Sequence, residues 1–146
     1  AAASLNLEYT LPDVSQTVII TRLEGRTRVP EKERLASLAA HNTTLVLFLS
    51  AGMMEKVQEE LLSAGLSPHT PVAIVYKATW KDEKRVICTV GTLAESAQAH
   101  EISKTALIIV GNVVSHSDYS RSKLYDPSFT TEFRKSLDNS KIRSPE

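Results

Sequence analysis

Cysteine occurs once in this 146-residue chain, at Cys88, so no internal disulfide is available. A lone thiol inside an apolar run fits a reducing compartment. Glycine is scarce and scattered. Gly25, Gly52, Gly65, Gly91 and Gly111 stand too far apart for a dinucleotide fingerprint or a phosphate-cradling loop. Four histidines, His41, His69, His100 and His116, fall on separate segments without metal-ligand spacing, so no metal site is expected. Net charge is absent as well. Seventeen basic and seventeen acidic residues cancel, which removes the overall field that draws proteins to nucleic acid or membrane surfaces. No apolar run approaches the roughly 18 residues of a membrane span, and none has the shape of a signal peptide. The expectation is a soluble, cytoplasmic protein.

What is present suits one α/β domain. Hydrophobic residues make up 42% of the chain, enough for a core of several strands and helices. TVII at 17–20 and TLVLFL at 44–49 are continuous apolar runs, as expected of strands buried on both faces. PVAIVY at 71–76, RVICTV at 85–90 and KTALIIVG at 104–111 add three more, the third and fourth strands forming an antiparallel pair. Between them lie helical signals. Pro30 suits a first helical position, with Glu31 and Glu33 at the positive end of the dipole and Leu35, Leu38 and Ala39 as the apolar stripe. A second helix spans 53–64 with Met54, Val57 and Leu61 on one face and Gly65 as its stop. Thr92 and Glu95 read as a capping box opening a third. Asp126 and Pro127 read as the start of a fourth, short helix carrying Phe129 and Phe133 at i, i+4. Alternating strands and helices predict a mixed, mostly parallel five-stranded sheet flanked by helices. The opening AAASLNLEYTLPDVSQ is a lead-in with a turn at Pro12 and Asp13 and no N-cap.

Chemistry-bearing residues cluster at the strand ends. Arg22, Arg26 and Arg28 crowd the elbow TRLEGRTRVPEKE after the first strand, where an α/β sheet places its ligands. Guanidiniums there suit bidentate pairing with carboxylates. The alternative is that Arg22 pairs with Glu24 or Glu31 and the others are solvated. FLSAG at 48–52 and KATW at 77–80 put small residues and the single tryptophan after the second and third strands. Small residues let a flat ligand approach backbone closely. Ser115, His116, Ser117 and Asp118 are the residue types of a hydrolytic triad. Sequence neighbours cannot point at one another as triad members must, and the cluster reads as a solvated turn.

SQTVIITRLEGRT, LFLSAGMMEKVQEEL, TPVAIVYKATWKDEKRV, TALIIVG and SKLYDPSFTTEFR follow one another in this order. Together they resemble the C-terminal half of the precorrin-4 methyltransferases, of the tetrapyrrole methylase family. VYKATW and LYDPSFTTEFR carry the specificity of the match. The resemblance implies methylation of carbon 11 of precorrin-4 or cobalt-precorrin-4 in cobalamin biosynthesis, with S-adenosyl-L-methionine as methyl donor. It also implies a cofactor cleft between two α/β domains. Here the matching positions are Leu49, Ala78, Thr105 and Ala106 for the cofactor, and Arg22, Glu24 and Arg26 for the carboxylate-rich tetrapyrrole. On this reading residues 1–15 are the end of an interdomain connection and 16–146 the C-terminal domain. The family's first domain, with its Gly-Pro-Gly-Asp type loop, is missing, so this domain is expected to be inactive alone. Partnership with that domain and a homodimer are implied, with no nucleic acid or membrane. Two positions depart from the pattern: Arg28 and Lys81 stand where relatives carry turn prolines. Other readings are a different tetrapyrrole specificity, or a non-catalytic binding or dimerisation module of the same fold.

Overall fold

The computed structural model describes residues 1–115 together with Thr130, Glu132 and Lys135. The helix expected after Asp126 lies outside the described residues, as do His116, Ser117 and Asp118. Five strands form one sheet: β1 (Val18–Arg22), β2 (Thr44–Phe48), β3 (Pro71–Tyr76), β4 (Lys84–Thr89) and β5 (Ala106–Val110). Their order across the sheet is β1-β2-β5-β3-β4. β1 and β2 pair in parallel, whereas β5 is antiparallel to both β2 and β3, and β3 and β4 are antiparallel.

The sheet is therefore mixed and five-stranded as expected, but it is not mostly parallel. The local signals had the directions right, since the pairings make β1, β2 and β3 co-directional. What strand–helix alternation does not encode is adjacency. β5 runs back down the middle between β2 and β3, so it turns would-be parallel neighbours into antiparallel ones.

The helices α1 (Leu35–Ala39), α2 (Met54–Ser63) and α3 (Leu93–Ala99) lie on one face. Period-two alternation sends Leu45, Leu47, Val72, Ile74, Ile108 and Val110 to that face, where they pack with Leu35, Val57, Leu61 and Leu93. Burying each such side chain contributes about 1.5–3 kcal/mol. α2 follows its expected stripe, with Met54, Val57 and Leu61 buried, and Gly65 ends it at φ +91°, a conformation costly for other residues. The first helix is broken. Glu31–Glu33 is a 3-10 turn, Arg34 is extended at ψ 142°, and only then does α1 begin. The expected Thr92–Glu95 box is displaced too: the reciprocal pair is Thr89 with Thr92, capping a 3-10 turn at Val90–Thr92. The next turn's donor is met from outside, as Ala94 N–H donates to Gln58 Oε1 at 3.0 Å.

Among the described residues, the other face is covered by the lead-in rather than by helices. Ile20, Val46, Ile109, Ala73 and Ile87 form one row across the sheet. Ala1, Leu5, Leu7 and Tyr9 pack around Ala73, Val75 and Ile109. The ends of the row stay open, with Ile20 66% and Ile87 60% exposed. β1 is an edge strand half covered, not the doubly buried strand that TVII predicts, because a continuous apolar run does not reveal which face is capped.

Candidate functional site

β1, β2 and β3 end, and β5 begins, at one edge of the sheet, which brings sequence-distant segments together there. Leu49 follows β2, Lys77 follows β3 and Thr105 precedes β5. All three have positive φ, at 51°, 46° and 53°, and Thr79 joins them at 72°. None is a glycine or asparagine. A left-handed L-residue carries a cost of about 1–2 kcal/mol, and such strain concentrates at functional sites where the surroundings hold it. The holding contacts are visible. Lys77 N–H donates to the Thr105 carbonyl at 2.8 Å, and Trp80 N–H donates to the Lys77 carbonyl at 2.9 Å.

These turns enclose a cavity of about 480 Å³. Leu49, Ala78, Thr105 and Ala106 all line it, with Trp80 and Lys77 beside them. The four positions that the family resemblance implies for the cofactor thus meet in one place. Trp80 is 60% exposed, an aromatic face offered to a ligand or partner. Lys77 is engaged: it ion-pairs with Asp82, and its ammonium lies 5.0 Å from the Tyr76 ring centre and 5.3 Å from that of Trp80. The hydrogen bond to Asp82 raises the Lys77 pKa and lowers that of Asp82. Gly52 brings the start of the β2–α2 turn against the approach to β5. A Cβ there would sit 3.3 Å from the Ser103 carbonyl.

A second cavity, of about 420 Å³, opens beside the elbow and is lined by Arg22, Arg26, Thr27, Met53 and Leu49. Leu49 lines both cavities and is 84% exposed. The elbow residues differ in what they do. Arg22 donates from Nη1 to the Thr27 carbonyl at 3.0 Å and from Nη2 to the Arg28 carbonyl at 3.0 Å, so its guanidinium closes the loop on itself. Neither Glu24 nor Glu31 is its partner in that arrangement. Glu24 Oε2 accepts the Val29 N–H at 3.1 Å, bracing the same loop. Arg26 is exposed and lines the cavity.

Two positioning groups escape sequence reasoning. Ser50, fully buried, accepts the Leu23 N–H at 2.9 Å and donates to the Phe48 carbonyl at 2.7 Å, pinning the elbow to the end of β2. In sequence it is one small residue among several. Glu83 receives three donors: Thr79 N–H at 2.6 Å, Arg85 Nε at 2.7 Å and Ser4 Oγ at 2.9 Å. The Thr79 N–H first, then Arg85 and Ser4, bring its carboxyl from the ordinary 4.5 to about 2. Flanked by Asp82, Lys84 and Arg85, it reads in sequence as one charge of a solvated hairpin. Among the described residues no His, Cys, Asp or Glu cluster is placed to hold a metal ion. Nor is any described helix long and apolar enough to cross a membrane.

The family model for tetrapyrrole (corrin/porphyrin) methylases matches residues 1–94, and the chain belongs to that family. Among its relatives is the cobalt-precorrin-4 C(11)-methyltransferase of Methanocaldococcus jannaschii, 54% identical over 136 residues, which are 93% of this chain and 52% of that protein. The enzyme of the same name from Priestia megaterium is 50% identical over 140 residues, 94% of this chain and 54% of the relative. The chain spans about half the length of these relatives. The crystal structure of a cobalt precorrin-4 methyltransferase superposes with a TM-score of 0.77 at 49% identity, covering 79% of this chain and 48% of that one. A uroporphyrin-III C-methyltransferase from Thermus thermophilus, complexed with S-adenosylhomocysteine, gives 0.61 at 26% identity over 77% of this chain and 49% of that one.

Proposed function

We propose that this chain is the C-terminal α/β domain of an S-adenosyl-L-methionine-dependent methyltransferase acting at carbon 11 of cobalt-precorrin-4 or precorrin-4 in cobalamin biosynthesis. One observation carries the reading: Leu49, Ala78, Thr105 and Ala106, drawn from three strand ends, line one cavity that adjoins the arginine elbow through Leu49. The identities support the precorrin-4 specificity over the uroporphyrinogen-III one, at 54% against 29%, and favour the cobalt form, at 54% against 41% for the metal-free one.

The cavity suits the methyl donor. Its volume lies within the range of roughly 300–1,000 Å³ typical of small-molecule sites, and its wall is mostly apolar with one exposed indole. The donor supplies an activated sulfonium methyl group. The chain supplies position and exclusion of water. Leu49, Ala78 and Ala106 provide the apolar wall, and the left-handed turns at Leu49, Lys77 and Thr105 aim that wall at the ligand. Arg26 contributes a free guanidinium for the peripheral carboxylates of the tetrapyrrole, with Arg22 and Glu24 shaping the loop that presents it. No acid or base on the chain is assigned to the methyl transfer, which asks chiefly for alignment.

Relatives twice as long support a second domain closing the cleft, with residues 1–15 as the connection, 16–146 as the domain and methyl transfer requiring both halves. A homodimer working in the cytoplasm completes the proposal. Open apolar positions such as Ile20 and Phe48 support such burial. In a two-domain protein, Arg26→Ala should raise the KM for the tetrapyrrole far more than that for the methyl donor. Equal effects on both would remove the clamp, and no transfer to any precorrin by the unaltered two-domain protein would remove the function.

A further inference from the structure

Glu83 lies outside the cavity, yet it holds the segment that walls it. The β3–β4 connection turns through Lys77, Ala78, Thr79 and Trp80, with Ala78 and Trp80 facing the cavity and Thr79 between them at φ 72°. A β-branched residue in that region needs an external hold. The Thr79 N–H is bound by Glu83 Oε2 at 2.6 Å, and Glu83 closes the turn further by donating its own N–H to the Trp80 carbonyl at 3.2 Å. The other carboxylate oxygen, Oε1, accepts from Arg85 on β4 and from Ser4 in the opening segment. The Glu83 side chain is only 13% exposed, so one carboxylate joins three separate stretches of chain in a largely enclosed place.

We infer that Glu83 is a positioning residue that sets the Ala78–Trp80 wall of the cavity and, through Ser4, fastens that wall to the opening segment of the chain. The inference about the wall stands on these contacts. Only its consequence for a bound methyl donor rests on the function proposed above. Ser4 sits in the 3-10 turn Ala3–Leu5, whose Leu5 packs against the same sheet face as Ala78. A pull on the opening segment therefore reaches the cavity wall directly through the Ser4–Glu83 hydrogen bond, as well as through the sheet face that Leu5 and Ala78 share.

The chain's single tryptophan makes the test direct. Amide hydrogen exchange at Thr79 and the Trp80 indole resonance are to be read by NMR in the unaltered chain and in Glu83→Ala, Glu83→Gln and Ser4→Ala. Glu83→Ala should speed Thr79 exchange roughly tenfold or more and shift the indole signal. Glu83→Gln, which keeps an acceptor but not the charge, should fall between it and the unaltered chain. Unchanged exchange at Ile74 and Val110 marks the sheet as intact. If Glu83→Ala does not fold, Glu83→Gln carries the comparison. A Thr79 amide and an indole signal that do not respond to Glu83 substitution would overturn the positioning role. An indole unmoved by Ser4→Ala would overturn the tether. Millimolar S-adenosylhomocysteine added to a two-domain protein carrying this chain separates the two questions. Shifts at Ala78, Thr105 and Ala106 support the cofactor reading and their absence overturns it, whatever the variants report about Glu83.

Discussion

Lys77 and Thr105 are joined by a 2.8 Å backbone hydrogen bond, and both occupy the left-handed region, at φ 46° and 53°. The bond continues the antiparallel ladder of β3 and β5 by one more rung beyond the Tyr76 and Ala106 pair. Two strained residues thus hold one another at the mouth of the cavity. The ladder below them runs into the buried middle of the sheet, so the strain is held by strand pairing as well as by the loops.

Thr105 is exposed, so little packing is lost when its side chain is removed. Thr105→Gly should relieve the left-handed penalty, part of which the greater freedom of glycine in the unfolded chain offsets. A net stabilisation of about 0.5–1 kcal/mol is expected. Denaturant unfolding would read it as a higher midpoint at unchanged slope.

Ser50→Ala removes the acceptor of a buried Leu23 N–H and the donor to Phe48. Leaving such a group unsatisfied costs about 1–3 kcal/mol, so the thermal midpoint should fall by several degrees. The elbow should loosen with it, visible as increased proteolytic nicking between Leu23 and Val29.

Arg22 and Arg26 should separate cleanly. Arg22→Ala frees the Thr27 and Arg28 carbonyls and unlatches the elbow, lowering stability by up to about 1.5 kcal/mol. Arg26→Ala, an exposed change with no hydrogen bond to lose among the described residues, should stay within about 0.5 kcal/mol of the parent. Thermal scans of the two variants side by side check this.

Acid should act on the cavity wall through Glu83. Its folded pKa of about 2 lies below the ordinary 4.5, so its stabilisation is fully present above that ordinary value. It is lost as pH falls from there through the folded pKa. Asp82 is likewise lowered by its bond to Lys77, so its contribution too is lost toward acid. Trp80 fluorescence followed from neutral pH to pH about 2 should show this transition, and Glu83→Gln should reduce its amplitude, leaving the part due to Asp82.

Burial pushes the Cys88 thiol pKa up, against a smaller opposing effect of the Ser96 hydrogen bond. Cys88 packs half-buried against the main core. Its reaction with a disulfide reagent near pH 8 should therefore be much slower than that of a free thiol, and should accelerate to the free rate in denaturant.

The parts legible in the sequence were those with local causes. β3 was read at its observed bounds because PVAIVY is β-branched, apolar and bounded by a proline and a polar loop. The α2 stripe and its glycine stop followed from helical periodicity. The meeting of Leu49, Ala78, Thr105 and Ala106 was legible only through likeness to a family, since nothing in their spacing brings them together. Ser50 and Glu83 were not legible at all. The links that give them their roles, Ser50 to Leu23 across 27 residues and Glu83 to Ser4 across 79, lie beyond any local window, and the nearer bonds of Glu83 depend on the strained turn at Thr79.

By itself, then, the sequence determined where the five strands and the second helix form and in which direction the first three strands run, because steric preference and the period of apolar residues act within a few positions. Only the tertiary structure decided that β5 enters between β2 and β3, that the opening segment covers the second sheet face, and that three strained turns share one cavity. Those outcomes depend on which distant surfaces bury one another best, a property of the whole packed chain.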